Sequence, residues 1–151
     1  MDLEVRLAND LDSSIIYAWR NEPRTRSSSR SSHIISREEH DAWFTSSLAN
    51  KNLHLFIVEL DAGTPIGTVR FDRERENVFE VSVTVSPLYR GQGLGAAVLL
   101  SCEASLLLHF SSALLRAFIK PGNSISVKLF ESCEYVNVSN GWWEKTLEAN
   151  A

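Results

Sequence analysis

The residues whose types and spacing best fit a chemical task form a short glycine-rich turn. An alternating strand ends at Pro87, and the turn Arg90-Gly-Gln-Gly-Leu-Gly-Ala96 leads directly into a long apolar helix. Glycine permits a tight left-handed turn and lets a ligand approach the main chain closely. The first N–H groups of a helix are unpaired and carry the positive end of its dipole. The sequence therefore predicts an anion site of the kind that holds a pyrophosphate.

Two pyrophosphate-binding patterns compete at this turn. The dinucleotide fingerprint needs Gly-x-Gly-x-x-Gly and an acidic residue about 20 residues further on. Here Gly91, Gly93 and Gly95 alternate strictly, and the next predicted strand carries Arg116 without a carboxylate. A glycine triplet alone is also compatible with a simple tight turn. The strand before it and the helix after it favour a phosphate-binding site of a different type from the dinucleotide fold.

Length and composition indicate an ordinary globular protein. The 151 residues predict one domain, residues 1–151, and 44% of them are hydrophobic and 23% charged. A net charge of −4 gives no general attraction to nucleic acid. Cys102 and Cys133 form no Cys-x-x-Cys pair, and no histidine stands at ligand spacing from them. We therefore expect no metal site and a reduced, cytoplasmic setting.

Neither a signal peptide nor a membrane span is expected. The first residues lack the basic and apolar blocks of a secretion signal. The most apolar stretch, residues 94–110, is interrupted by Ser101, Glu103, Ser105 and His109, which is typical of a buried helix. The sequence thus predicts no contact with a membrane.

The pattern of apolar residues and turn signals predicts a mixed α/β order, β-α-α-β-β-β-α-β-α-β-β. Three adjacent antiparallel strands precede the crossovers, which argues against a doubly wound sheet. Strands are expected at 3–7, 53–60, 64–71, 78–86, 113–119, 134–138 and around Trp142 and Trp143. Helices are expected at 10–20, from Ser36 onward, at 92–109 and from Asn123 to about 132, with a loop at 24–35.

The turn resembles the acyl-CoA loop of the GNAT acetyltransferase superfamily, whose motif is Arg/Gln-x-x-Gly-x-Gly/Ala. The element order is similar to that of the GNAT fold over nearly the whole chain. Glu80 stands five residues before Val85, as in the family's Glu-h-x-h-x-Val pattern, and Asn123 with Ser126 matches its Asn-x-x-Ser. The resemblance implies a mixed central sheet of about six to seven strands with about four helices on both faces.

The resemblance also implies the cofactor acetyl-CoA and the residues that hold it. Backbone groups of the central strand would bind the pantetheine arm and the thioester carbonyl, and the turn would bind the pyrophosphate. These residues are Val83, Thr84, Val85, Arg90, Gly91, Gln92, Gly93, Leu94, Gly95, Ala96, Asn123 and Ser126. Two positions depart from the family. Phe130 replaces a frequent catalytic tyrosine, and Glu134-Tyr135 replaces a Gly-Phe pair, so the proton donor to the thiolate has no candidate.

Acetyl transfer to an amine also needs a base, because an amine with a pKa near that of lysine is protonated at pH 7. Glu80 is the first candidate, since alternation puts it on the polar face of the central strand with Ser82 and Thr84. The alternative is a solvent-facing strand carboxylate. His40 is the second candidate base, with a structural histidine beside Trp43 as its alternative.

The acceptor side is expected at the arginine-rich segment 20–37, which carries five arginines (20, 24, 26, 30 and 37). Guanidinium groups match phosphate oxygens, so Trp19, Arg20, Asn21 and Arg26 are candidate substrate contacts. A mobile solvated loop is the alternative. Trp19-Arg20-Asn21 and Glu39-His40-x-x-Trp43-Phe44 resemble the subgroup that acetylates 4-amino sugars on nucleotides, as in pseudaminic acid synthesis.

The resulting hypothesis is an N-acetyltransferase that moves an acetyl group from acetyl-CoA to the primary amine of a small acceptor, by direct attack in a ternary complex. The acceptor partner would be a small molecule, and the enzyme a monomer or a homodimer. Two alternatives stay open. One is acetylation of a protein N-terminus or lysine, and the other is a non-catalytic acyl-CoA-binding module, which Phe130 favours.

Overall fold

The computed structural model describes residues 2–29, 31–61 and 63–149, and within them seven strands and five α-helices. The strands are β1 Leu3–Leu7, β2 Leu53–Leu60, β3 Thr64–Arg75, β4 Val78–Val85, β5 Ser112–Phe118, β6 Val136–Ser139 and β7 Trp142–Glu148. The helices are α1 Ser13–Asn21, α2 Pro23–Ser28, α3 Arg37–Ala49, α4 Leu94–Leu106 and α5 Ser124–Ser132.

The strands form one sheet in the order β1-β2-β3-β4-β5-β7-β6. Strands β1 to β4 pair antiparallel in sequence order. Short turns join β2 to β3 and β3 to β4, whereas helices α1 to α3 lie in the connection between β1 and β2. Only β4 and β5 run parallel, because α4 crosses between them and returns the chain to the same end. The predicted mixed α/β class and the expected six to seven strands are therefore confirmed.

The larger core lies between one face of the sheet and helices α4 and α5. Alternation along β4 sends Phe79 and Val81 to this face, where they meet Val98, Leu99 and the other apolar side chains of α4. Phe79, Val98 and Leu99 are fully buried. This packing holds the start of α4 against the end of β4.

A smaller core covers the opposite face at one end of the sheet. Ile16 and Trp19 from α1 and Phe44 from α3 pack on Leu55 and Ile57 of β2. Helices thus lie on both faces, as expected. Helices α1 and α3 also border the polar face of β3, where Trp43 of α3 lies beside Arg70.

Segment 24–35 differs from the predicted loop, because α2 occupies its first part. The Glu22 carboxylate accepts a hydrogen bond from the N–H of Thr25, and Pro23 stands at the first helical position. Pro at this position and an acceptor side chain before it both favour a helix start. The Ser-rich composition had indicated only a lack of apolar anchors, so this helix was missed.

Helix α4 is shorter than the predicted 92–109. It begins at Leu94 because Gly93 is left-handed, with φ +73°, and cannot belong to the helix. No helix in the described ranges is long and apolar enough to cross a membrane.

Candidate active site

The glycine turn has the backbone that an anion site needs. Gly91 and Gly93 have φ values of +77° and +73°, and a Cβ built on either would meet no atom within 4 Å. Open space and left-handed backbone together leave the main chain accessible. Gly93 is the N-cap of α4 and supplies no side-chain cap, whereas α3 and α5 are capped by Ser36 and Asn123. The first N–H groups of α4 therefore remain available to an external acceptor.

The third glycine has a different role from the first two. A Cβ on Gly95 would lie 3.1 Å from Leu129 of α5 and 3.8 Å from Val85. Gly95 therefore lets α4, α5 and the end of β4 approach closely. Leu94 is buried and Ala96 packs on the same core, while the Gln92 amide donates to the Leu88 carbonyl at 3.4 Å.

An open strand edge lies beside this turn. The pairing of β4 with β5 ends at Glu80 and Arg116, although β4 continues to Val85 and β5 to Phe118. From Val81 onward β4 keeps only β3 as a ladder neighbour, with Gly67 opposite Val85. Backbone N–H and C=O groups on that edge need partners. The edge contains the three expected contact positions Val83, Thr84 and Val85.

Glu80 lies where the two strands separate. It is the last residue of β4 that pairs with β5, and its ladder neighbours are Asp72 on β3 and Arg116 on β5. It is half-buried on the polar face, opposite the core residues Phe79 and Val81. Arg116 is held by Glu144 at 3.1 Å and by Glu74 at 3.2 Å. Glu80 therefore belongs to a charged row that crosses the sheet at the base of the opening.

Arg90 contacts α2. Its guanidinium pairs with Glu22 at 2.6 Å and donates to the Thr25 hydroxyl at 2.8 Å. Burial alone raises the pKa of Glu22, but hydrogen bonds from Arg90 and from backbone N–H groups outweigh it and lower the pKa below its ordinary value. On the other side, Lys120 donates to the carbonyl of Ser27 at 3.1 Å. Helix α2 is thus fastened to both the glycine turn and the end of β5.

His40 is fully buried and both of its ring nitrogens are engaged. Nδ1 accepts from the Arg20 guanidinium at 3.0 Å, and Nε2 donates to the Ser13 carbonyl at 3.0 Å. Because guanidinium only donates, this arrangement requires the neutral Nε2–H ring. Burial, followed by the charge of Arg20, lowers the pKa of His40. The ring therefore positions Arg20, and neither of its nitrogens is free to accept a proton from the acceptor amine.

The other expected acceptor residues also contribute to local structure. Trp19 is 4% exposed in the smaller core, and Asn21 bonds both the N–H and the carbonyl of Ile35 at 2.7 Å. The Arg26 guanidinium donates to the carbonyls of Asn21 and Ser32. Arg30 lies outside the described residues. Of the four candidates, Arg20 has the most donors left for a ligand.

The residues in and after α5 that the resemblance to the family singled out have structural partners. Asn123 caps the helix by accepting from the N–H of Ser126 at 3.2 Å. Phe130 is buried and its ring meets Tyr135 edge-on at 4.9 Å. The Tyr135 hydroxyl donates to Glu103 at 2.7 Å, and burial raises its pKa far above the ordinary value. The Tyr135 hydroxyl therefore makes a structural hydrogen bond inside the core.

Sequence reasoning missed Arg70. Its guanidinium bonds Asp72 at 2.8 Å and the Ser82 hydroxyl at 3.3 Å, and lies 5.8 Å from the ring centroid of Trp43. Alternation places Arg70 opposite Ser82 on the polar face, but the closeness of Trp43 depends on how α3 packs. Across the described ranges, no group of three or more potential metal ligands comes together.

Comparison with known proteins agrees with this geometry. Residues 2–136 match the family model described as the acetyltransferase (GNAT) domain. No curated protein sequence matches the chain significantly. The chain belongs to the GNAT acetyltransferase family, and it is an N-acetyltransferase that uses acetyl-CoA.

Solved structures share the fold at low sequence identity. Spermidine N-acetyltransferase from Vibrio cholerae, in complex with CoA and spermine, superposes with a TM-score of 0.76 at 17% identity, covering 97% of this chain and 95% of that one. An N-acetyltransferase from Staphylococcus aureus gives 0.73 at 20%, covering 98% and 99%. A Salmonella typhimurium structure with its cofactor acetyl-CoA gives 0.71 at 20%, covering 100% and 96%.

Proposed function

We propose that this enzyme transfers the acetyl group of acetyl-CoA to the primary amine of a small acceptor, with both substrates bound and the amine attacking directly. The observation that carries this proposal is the separation of β4 from β5 immediately beside the uncapped start of α4. An extended, amide-bearing arm fits the open edge, and a pyrophosphate fits the turn.

The residues that would hold the cofactor are those of the turn, the open edge and the start of α5. Gly91 and Gly93 leave the N–H groups of Gly95 and Ala96 free for phosphate oxygens, while Thr84 and Val85 offer backbone donors and acceptors. Bound acetyl-CoA supplies an acetyl group activated as a thioester. A backbone N–H near Val85 would polarise the acetyl carbonyl by donating a hydrogen bond.

Glu80 is the base in this proposal. Its carboxylate lies on the polar face at the base of the opening and would accept a proton from the acceptor ammonium, directly or through one water. Ser82 is two positions and Thr84 four positions further along the strand, so a water relay fits the distance better than direct contact. Buried Phe130 leaves the proton donor to the departing thiolate without a candidate on α5.

For the acceptor, we propose a nucleotide-linked 4-amino sugar as the first class to test. Its support is the Trp19-Arg20-Asn21 motif together with Arg20, whose one hydrogen-bond partner among the described residues is His40, so that other guanidinium donors remain for a ligand. Polyamines are the second class, because the Vibrio cholerae structure binds spermine and the row at Glu80 contains Asp72, Glu74 and Glu144.

The test is thiol release from acetyl-CoA with a panel of amines that includes UDP-4-amino sugars and spermidine. We expect Glu80→Gln to lower kcat by about 10²–10⁴-fold at pH 7 without changing acetyl-CoA affinity, and to recover at high pH, where the amine is already neutral. Glu148→Gln removes an exposed carboxylate of β7 that lies outside this row, and it serves as the control. Parent turnover in Glu80→Gln at pH 7 would eliminate the base.

A further inference from the structure

Two guanidinium groups share one indole on the acceptor side. The Arg20 guanidinium carbon lies 4.1 Å from the ring centroid of Trp43, and that of Arg70 lies 5.8 Å from the same centroid. They arrive from different elements, Arg20 from α1 and Arg70 from β3, while Trp43 belongs to α3. An aromatic face attracts a cation, so Trp43 stabilises both guanidinium groups beside it.

Only one of these two arginines has a carboxylate to neutralise its charge within the described part of the chain. Arg70 has the Asp72 carboxylate at 2.8 Å. In the described part of the chain, no carboxylate lies within ion-pair distance of Arg20, whose one hydrogen-bond partner is the neutral His40 ring. Glu39 acts on Arg20 from a distance, but its own carboxylate bonds His33 at 3.0 Å. Burial and then the charge of Arg70 lower the pKa of Arg20. A half-buried cation beside a second cation is costly unless an anion joins them.

The position of the pair relates it to acetyl transfer. Arg70 is the register partner of Ser82 and donates to its hydroxyl at 3.3 Å. Ser82 lies within the stretch of β4 that has no β5 neighbour, and Thr84 follows on the same face. Two residues of an extended strand span about 7 Å. An anionic group beside Arg70 would therefore place an amine about four to six bonds away at the open edge.

We propose that Arg20, Arg70 and Ser82 form an oxyanion subsite of the acceptor. A carboxylate or phosphate carried by the acceptor is bound beside Trp43, and its amine reaches β4 near Thr84. Guanidinium forks bind either oxyanion through paired N–H donors, and the neutral His40 ring fixes the orientation of one fork. This inference depends on the proposed acetyl transfer, and it selects the acceptor by charge and by length.

The experiment compares amines that differ only in the oxyanion, using thiol release at saturating acetyl-CoA. O-phosphoethanolamine is paired with ethanolamine, 4-aminobutyrate with butylamine, and a UDP-4-amino sugar with the free amino sugar. We expect the parent enzyme to prefer the anionic member of each pair. The pair with the larger preference shows whether the subsite favours phosphate or carboxylate. Glycine, whose amine and carboxylate are too close to span the two positions, should be a poor acceptor. A preference for neutral amines or for spermidine overturns the subsite.

The variant is Arg70→Gln, and its matched control is Arg37→Gln, an exposed arginine of α3 paired with Asp41. We expect Arg70→Gln to raise KM for the anionic acceptor by about 10- to 100-fold, the loss of a charge-assisted hydrogen bond, and to leave the neutral amine unchanged. Arg70→Lys should give a KM for the anionic acceptor between those of the parent and Arg70→Gln. Equal effects on both members of a pair would show a structural role only and overturn the proposal.

A binding measurement separates failure of the subsite from failure of the enzymatic proposal. Calorimetry with the same amines is done with CoA present at saturation, so that the pyrophosphate turn is filled. If no amine releases thiol but the anionic amines bind the parent and not Arg70→Gln, the acetyl-transfer proposal fails and the subsite stands. If anionic and neutral amines bind alike, the subsite is wrong whatever the turnover.

Discussion

At the residue scale, the three glycines of the turn do two different things. Gly91 and Gly93 take left-handed backbone in open space, whereas Gly95 is helical and leaves room for Leu129. The strictly alternating pattern therefore combines an exposed anion-binding turn with a close helix contact. Substitutions at the three positions should consequently fail in different ways.

Gly93→Asp should abolish tight binding of acetyl-CoA. Aspartate tolerates left-handed backbone and would cap α4, so its carboxylate would take the N–H groups and add a negative charge. The loss of two charge-assisted hydrogen bonds corresponds to roughly 100-fold in affinity. Calorimetry measures it, with Asn77→Asp as the control, because Asn77 in the β3–β4 turn is also left-handed at φ +60° and the change adds the same negative charge. A folded Gly93→Asp that binds acetyl-CoA like the parent would contradict the site.

At the element scale, α2 is important because its six residues bridge two parts of the opening. It has no buried residue, and its anchors are Arg90 with Glu22 and Thr25 on one side and Lys120 with Ser27 on the other. The Lys120 contact is exposed and the Arg90 contacts are only part-buried, and polar contacts near the surface contribute little stability individually. We therefore expect α2 to open more readily than the sheet beneath it.

Glu22→Ala should loosen α2 selectively, because it removes both the N-cap of the helix and the ion pair with Arg90. Loss of a cap costs about 1 kcal/mol, which predicts roughly fivefold faster amide exchange over residues 23–29. Hydrogen–deuterium exchange measures this, with Glu38→Ala at the start of α3 as the control. Unchanged exchange in 23–29, or equal acceleration throughout the sheet, would show that α2 is held by something else.

At the scale of the whole molecule, buried imidazoles link stability to pH. His54 of β2 lies against Phe79 and Phe110, with ring centroids at 6.1 and 5.3 Å, and its buried Nε2 has no hydrogen-bond partner among the described residues. Burial, then the charges of His109 and Arg73, lowers the pKa of His54. The unfolded chain therefore binds a proton more readily than the folded one.

This linkage predicts that the free energy of unfolding decreases as pH falls below about 6.5, the ordinary histidine value, toward the lower pKa of the folded state. Urea unfolding at pH 7.5 and 5.5 measures the loss. His54→Leu should reduce the pH dependence, while His33→Asn, which removes an exposed ring, should keep it. His40 should contribute in the same direction, because its pKa is also lowered. A His54→Leu protein with the parent's full pH dependence would refute the assignment.

The sequence predicted what local patterns determine. Alternation in β4 and the positions of the glycines were sufficient for the order of elements, the mixed sheet and the place of the turn. Contacts between elements that are far apart in the sequence could not be predicted from it. The bond from Arg90 to Thr25 joins residues 65 positions apart, and the approach of Arg70 to Trp43 depends on where α3 lies. Neither leaves a periodic signal.

The open edge of β4 has a consequence for the lifetime of the folded chain. Most sheets expose unpaired backbone only at their outer strands, but here an interior strand has no ladder neighbour on its β5 side over residues 81–85, while its β3 side is paired. A molecule that binds there completes the hydrogen bonding of the sheet, and binding to the folded state alone adds RT ln(1 + [L]/Kd) to stability. The supply of acetyl-CoA would then affect the abundance of the enzyme as well as its catalytic rate, because enzyme molecules without bound acetyl-CoA would unfold and be degraded sooner.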